Sequence, residues 1–258
     1  MSAFALPLRV FEYWLLQYRR VWRGTAITSV VNPVLYLGAL GVGLGTLVNQ
    51  SGGQPLGVSY LDYVAPGLLA ATAMTIAAGE ASWPVMGSFK WTRQYFAMLA
   101  TPIGPRDIVL GHQLWMTARV AVTSAVYLAV IAAFGGVNSA LGILALPASI
   151  ILGAAFTAPF AAYAATRESD AAFVPVNRFV IMPMFLFSGT FFPVSRLPLP
   201  LEWLAYATPL WHGVELCRMF TLGNFEALRV VGHTAYLVLF VVAGLIWAER
   251  TYTERLLK

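Results

Sequence analysis

Six apolar runs constrain this chain more than any other feature. They cover about residues 25–48, 63–87, 116–134, 140–165, 171–192 and 230–248. A helix rises about 1.5 Å per residue, so roughly 20 residues cross the apolar slab of a bilayer. Each run is near that length. Charged residues make up 10% of the 258 and hydrophobic residues 59%, whereas a soluble domain carries about 25% charged residues. That difference excludes a soluble fold. Unbroken apolar runs also exclude a lipid-facing barrel, whose strands alternate apolar and polar positions. The expected class is an all-α integral membrane protein with six transmembrane helices in one domain, 1–258.

The chain before the first run is of a different kind. At 100° per residue, Val10, Phe11, Trp14, Leu15, Tyr18, Val21 and Trp22 share one side of a helix over 6–23, and Arg9, Glu12, Arg19, Arg20 and Arg23 share the other. Such a helix suits the headgroup plane. No cleavable leader is expected, because the first long run follows this charged segment and is too long for one.

The stretch 179–220 is apolar but interrupted. It starts as a helix, meets Ser188-Gly189 and Pro193, turns through 194–200, and resumes with Trp203, Tyr206, Trp211, His212, Glu215 and Arg218. A broken helix at membrane depth needs protein or a watery cavity around its freed backbone groups. The expectation is a re-entrant hairpin over 193–220, with a pathway beside it gated by Phe187, Phe191, Phe192, Trp203 and Tyr206. An interfacial aromatic belt is the plainer reading of those rings. Glu215 and Arg218, three apart, can pair locally.

Net charge is +5, carried by 14 arginines and two lysines. With the N-terminus inside, nearly all of these fall in inside segments. The chain is therefore expected to hold both termini in the cytoplasm and the hairpin outside. The basic excess is assigned to that bias and not to nucleic acid. The longest inside segment, 88–113, mixes Trp91, Tyr95 and Phe96 with Arg93, Arg106 and Asp107 around Pro102-Ile103-Gly104-Pro105. Exposed aromatics on a stiffened loop fit docking of a partner. Two helix extensions joined by a turn would read the same way.

Glu80 lies in the second run, in its inner half. An ionisable group there is a functional candidate, although pairing with a nearby arginine is the commoner use. Arg178, early in the fifth run, similarly snorkels or pairs. No phosphate-binding G-x-x-x-x-G-K-[ST] occurs, and His112, His212 and His233 are scattered without metal spacing. Cys217 is the only cysteine. No catalytic set is legible, so the chain is read as a non-enzyme without cofactor or metal. No inverted repeat is visible, which weighs against a secondary transporter.

Several of these pieces, in this order, resemble the membrane subunits of ABC-2 type exporters. They are Ser188-Gly189-Thr190-Phe191-Phe192-Pro193 with Pro198, Pro209 and Arg218; Met98-Leu99-Ala100-Thr101-Pro102 through Asp107-Ile108-Val109-Leu110-Gly111; and Tyr63-Val64-Ala65-Pro66-Gly67-Leu68 with Glu80. The last set resembles the branch of nodulation lipo-oligosaccharide exporters and daunorubicin-type permeases. The resemblance implies a dimer of this chain or of it with a paralogue, in a bacterial inner membrane. It also implies two cytoplasmic ATPase subunits that bind ATP and Mg. Residues 88–113 would couple to the ATPase through Trp91, Arg93, Tyr95, Leu99, Pro102, Pro105, Arg106 and Asp107. The N-terminal helix would connect through Arg19, Arg20 and Arg23. The family does not fix the substrate, since lipo-oligosaccharides, polysaccharides, lipids and drugs all occur; the apolar, aromatic pathway with few internal charges favours an amphiphile, a lipid, glycolipid or hydrophobic drug. The competing expectation is a stand-alone channel or a proton-coupled carrier using Glu80.

Overall fold

The structure is a computed structural model that describes residues 5–50 and 57–258. It is helical, and six of its helices are long and apolar enough to cross a membrane. They are α2 (Trp22–Val48), α3 (Tyr60–Lys90), α5 (Pro105–Ala133), α6 (Ala140–Ala165), α7 (Asp170–Phe187) and α10 (Ala227–Leu257). The shorter helices are α1 (Ala5–Tyr18), α4 (Gln94–Leu99), α8 (Leu199–Tyr206) and α9 (Pro209–Leu222). The polar stretch 49–60 between the first two runs reads as a loop, and its residues 51–56 lie outside the described residues.

Helix α3 is the centre of the bundle. Its inward faces are small residues, among them Ala65, Gly67, Ala70, Ala73, Ala77 and Ala81, all buried. Small residues let neighbouring backbones approach, which is how apolar helices associate where lipid competes for larger side chains. Gly67 shows the limit of that approach. A Cβ there would sit 2.8 Å from the Thr190 carbonyl oxygen and 2.9 Å from its Cα. Around α3 stand α5, α6 and α9, while α2, α7 and α10 present most of their length outward.

Three expected boundaries move. The helix expected over 6–23 stops at Tyr18, and Arg19, Arg20 and Val21 form a turn closed by Arg20 N–H to Gln17 O and Val21 N–H to Tyr18 O. The chain turns there from packing against α5, where Val10 meets Gly111 and Tyr18 meets Trp115, into α2. Arg19 and Arg20 are therefore turn residues and Arg23 opens α2. The apolar run expected from about 116 belongs to a helix that begins at Pro105, beside the helix start expected at Arg106-Asp107, because Pro at the first helical position and Asp107 accepting the Gly104 N–H at 3.0 Å cap it there. The fifth ends at Phe187 and not Phe192, since Gly189 takes φ +84°. The sixth continues to Leu257, its end held by Tyr252 in the core and by Arg255, whose Nη1 donates to Ala165 O at 2.6 Å and Arg167 O at 2.9 Å.

Two interruptions remain inside spans. Leu37–Leu44 in α2 and Asn177–Ile181 in α7 widen to π-turns, a local geometry that recurs at functional sites. The residues after α7 form two short helices, α8 and α9. Helix α9 wedges between α3, α6 and α10, with Leu210, Val214 and Cys217 buried.

Candidate functional site

The bundle has two ends. One carries α1, α4 and the end of α10, the termini end. The other carries α8 and α9, the hairpin end.

At the hairpin end, the break after α7 frees backbone groups. The Gly189 carbonyl accepts from Arg218 Nη2 at 2.7 Å and from the Tyr63 hydroxyl at 3.4 Å. Arg218 Nη1 donates to Glu215 Oε1 at 2.6 Å, so the expected local pair forms. The guanidinium carbon lies 3.9 Å above the Tyr63 ring centre. One arginine thus ties the broken end of the fifth span, the start of the second and the hairpin. Beside it opens a cavity of about 300 Å³ whose walls include Tyr63, Tyr206, Trp211 and Ser195. On the other side of the break lies an apolar groove of about 340 Å³ between α7 and α8, lined by Phe179, Met184, Phe187, Leu201 and Leu204.

The five rings expected to gate one path do not converge. Phe187 lines the apolar groove and Tyr206 the polar cavity. Phe191 turns inward onto Phe185, ring centres 5.3 Å apart. Phe192 is half-buried, and Trp203 is 70% exposed. A helical stretch broken at Ser188-Gly189 changes direction there, so rings on either side of the break face different spaces. Tyr206 donates to Glu202 at 2.8 Å, and that bond holds its phenol above the usual range.

Of the three histidines read as scattered, two meet. His212 Nδ1 and His233 Nδ1 are 2.7 Å apart, joining α9 to α10, and the His212 ring stacks on Tyr236 at 3.8 Å. Sequence distance, 21 residues, hides the pairing. Among the described residues, no group of three or more His, Cys, Asp or Glu could hold a metal ion.

At the termini end, Glu80 accepts from Arg119 Nε at 3.1 Å. Arg119 Nη1 donates to the Tyr18 hydroxyl at 2.6 Å, and the guanidinium lies 4.2 Å above the Tyr18 ring. Tyr18 in turn bonds Thr25 Oγ1 at 2.6 Å. Glu80 is thus a held carboxylate, as pairing would have it. Arg119 was legible only as one more inside charge; an arginine well inside an apolar helix opposite an acid in another was the signal to use. Arg178 is exposed on α7, next to Asn177, which lines a third cavity of about 170 Å³ with Thr75, Trp83 and Phe173.

The loop region corrects one expected contact. Tyr95 is fully buried, not an exposed anchor. Its hydroxyl meets His112 Nδ1 and its ring meets Phe89 and Tyr252 at 4.8 and 5.5 Å. Burial pushes its phenol well above the ordinary value. Tyr95 nails α4 down because it is the residue of that short helix facing the core. Leu99 and Pro105 are half-buried and Asp107 serves as the cap described above. What stays outside is Trp91, 59% exposed, with Arg93, Phe96, Pro102 and Arg106. Arg93 holds φ +50°, the left-handed region an L residue rarely adopts. Arg19, Arg20 and Arg23 are exposed at the same end.

The ABC-2 type transporter family matches residues 10–222. Nodulation protein J of Rhizobium leguminosarum bv. viciae is 32% identical over 253 residues, 95% of this chain and 95% of the relative. Nodulation protein J of Rhizobium meliloti (strain 1021) is 31% identical over 85% of each chain. Inner membrane transport permease YadH of Escherichia coli (strain K12) is 24% identical over 88% of this chain and 86% of its own.

Proposed function

Since the chain belongs to the ABC-2 type transporter family, we propose that it is the permease subunit of an ATP-driven exporter that carries an amphiphile outward across the inner membrane. A separate cytoplasmic ATPase, two copies per complex, binds ATP and Mg, and this chain contributes no catalytic residue. Its termini end faces the cytoplasm and its hairpin end, re-entrant from outside, faces the exterior. That orientation follows from the crowd of arginines at the termini end.

One observation carries the reading beyond family membership. The termini end offers a rigidly seated set of exposed aromatic and basic groups, while an apolar groove and a cavity beside Arg218 open at the other end. Trp91, Arg93, Pro102 and Arg106 are the surface a partner meets, with Arg19, Arg20 and Arg23 beside them. Tyr95, Leu99, Pro105 and Asp107 fix that surface from below. The outward faces of α2 and α7 are covered by a second permease, a copy or paralogue, and by lipid. The apolar groove at the hairpin end favours a substrate with an apolar tail over an ion.

The test is co-expression with an ABC ATPase of the same organism, then reconstitution into vesicles. ATP-dependent transport, and ATPase activity stimulated by glycolipids or hydrophobic drugs, are expected. Transport by this chain alone, indifferent to ATP, would overturn the reading in favour of a carrier.

A further inference from the structure

Imidazole is the commonest metal-binding side chain, and this chain has three. His112 is sealed in the core, its Nε2 facing no partner. His212 on α9 and His233 on α10 are half-buried and face each other. Their Nδ1 atoms are 2.7 Å apart and their ring centres 4.9 Å apart, so both nitrogens lie between the rings. We propose that His212 and His233 form a site for a first-row transition-metal dication, Cu²⁺, Ni²⁺ or Zn²⁺, that clamps α9 to α10. The proposal stands apart from the exporter reading and needs nothing from it.

The tautomers are set for such an ion. His212 Nε2 lies 3.1 Å from the Tyr206 carbonyl oxygen, which can only accept, so this nitrogen carries the proton. Nδ1 of His212 is therefore a bare lone pair aimed across the gap, and it accepts the Nδ1 proton of His233. A ring whose far nitrogen is pinned to a backbone carbonyl is the usual arrangement of a metal-bound histidine, because the carbonyl fixes tautomer and direction together. Tyr236 reinforces the pin. Its ring stacks on His212 at 3.8 Å, and its hydroxyl donates to Ala207 O at 2.6 Å, next to the carbonyl that holds His212. When an ion enters, the His233 proton moves to its own Nε2 and both Nδ1 atoms become ligands.

The adjustment this asks for is small. At a tetrahedral ion with bonds of about 2.0–2.1 Å, two nitrogens stand about 3.3 Å apart, so the rings part by about 0.6 Å. His233 is six residues into α10, about 9 Å from its start, and two half-buried rings leave one side of the ion to water. Glu215 and Arg229, each about one turn from the pair, are already matched, with Arg218 at 2.6 Å and Glu226 at 2.8 Å. No unmatched cation among them repels a dication. The nitrogen ligands choose the metal: imidazole suits Cu²⁺, Ni²⁺ and Zn²⁺, whereas Mg²⁺ and Ca²⁺ take oxygens. Among the described residues no third His, Cys, Asp or Glu completes the set. Two protein ligands hold an ion that exchanges, so the clamp follows the metal level outside.

The full-length chain, purified in detergent without a polyhistidine tag, is titrated with Cu²⁺. Trp211 lies 4.9 and 5.1 Å from the two imidazole rings, so bound Cu²⁺ should quench its fluorescence. One ion per chain with micromolar affinity is expected, and pulsed electron paramagnetic resonance should show two imidazole nitrogens on it. Zn²⁺ should compete and Mg²⁺ should not. His212→Gln and His233→Gln should each weaken binding strongly: losing a partner of a ligand already costs about 10–100-fold, and losing the ligand costs at least as much. An ion bound through one imidazole or none, equal competition by Mg²⁺, or parental affinity in both Gln variants overturns the proposal. The nitrogen count is made on the parent chain, so it decides the matter whether or not a variant folds.

Discussion

Arg119 and Arg218 are built the same way at opposite ends of the molecule. Each guanidinium lies about 4 Å above a tyrosine ring, Tyr18 for one and Tyr63 for the other, and each pairs with a glutamate, Glu80 or Glu215. The difference is in what the remaining donors reach. Arg119 joins three helices, α1, α3 and α5, side chain to side chain. Arg218 pairs within its own helix and spends a nitrogen on a backbone carbonyl freed by a broken span, with open space beside it. The same chemistry serves as a weld at one end and as the lip of a cavity at the other. The termini end is therefore expected to move as a block and the hairpin end to rearrange around its break.

The strongest way to break that contrast is at the weld. Arg119→Ala leaves Glu80 facing a mostly buried gap, and removing one partner of a buried pair costs about 3–5 kcal/mol. Thermal unfolding of the purified chain should show the loss, and proteolysis at Arg19 or Arg20 should quicken as α1 loosens. Arg119→Met with Glu80→Leu should be much milder, because it leaves no stranded charge. An unfolding curve unchanged by Arg119→Ala would mean that the end is not welded there.

Arg218→Ala should cost less, about 1.5–3 kcal/mol, the range for hydrogen bonds to a charged group. Water in the adjoining cavity can take over Gly189 O and Glu215. The sharper readout is the ratio of effects. Arg218→Ala should lower ATP-dependent transport while unfolding less than Arg119→Ala does. Equal destabilisation of the two, with transport intact, would erase the distinction between lip and weld.

How legible the two ends are in the sequence also differs. The spans were readable because length and apolarity suffice, and the break at 188–193 because Gly and Pro mark it locally. Local pairs followed too: Glu215 and Arg218 are three apart on one helix. What the sequence hid were contacts that depend on which helices are neighbours. Glu80 with Arg119 spans 39 residues and Arg119 with Tyr18 spans 101. Tyr95 was misread for the same reason. In a polar, charged loop an aromatic looks like an outward anchor until Phe89, His112 and Tyr252, from three other places in the chain, are seen around it.

That misreading changes how Tyr95 is tested. Tyr95→Ala would empty a core site and cost about 3–5 kcal/mol, as large aromatic truncations do, so any lost partner binding would report a collapsed loop. Tyr95→Phe keeps the ring against Phe89 and Tyr252 and removes only the hydroxyl, with its bond to His112. It should cost about 1 kcal/mol in thermal unfolding. If α4 belongs to the welded block, ATPase co-purification should survive that change. Loss of co-purification in a well-folded Tyr95→Phe would place the loop with the mobile end instead.

The smallest effect on stability should accompany the largest on coupling. Trp91 is mostly exposed, and Arg106 has only a loose contact with Glu249, 3.9 Å between largely exposed side chains. Surface substitutions of this kind stay within about 0.5 kcal/mol, and a pair so exposed adds little. Yet Arg106 stands one residue into α5, whose first turn is stiffened by Pro105 and capped by Asp107. Thirteen residues on, about 20 Å along the same helix, stands Arg119. A push on Arg106 therefore has a rigid rod to travel, and the weld at its far end passes the displacement to α1 and α3 together. Trp91 offers the flat apolar area that anchors such contacts. Trp91→Ala and Arg106→Ala should insert and unfold as the parent does, while ATPase co-purification or ATP-dependent transport falls several-fold. If both variants bind the ATPase and transport normally, the loop is only a turn between two spans. The exposed Arg19-Arg20-Arg23 corner, one hydrogen-bonded tyrosine away from the same weld, then becomes the contact to test.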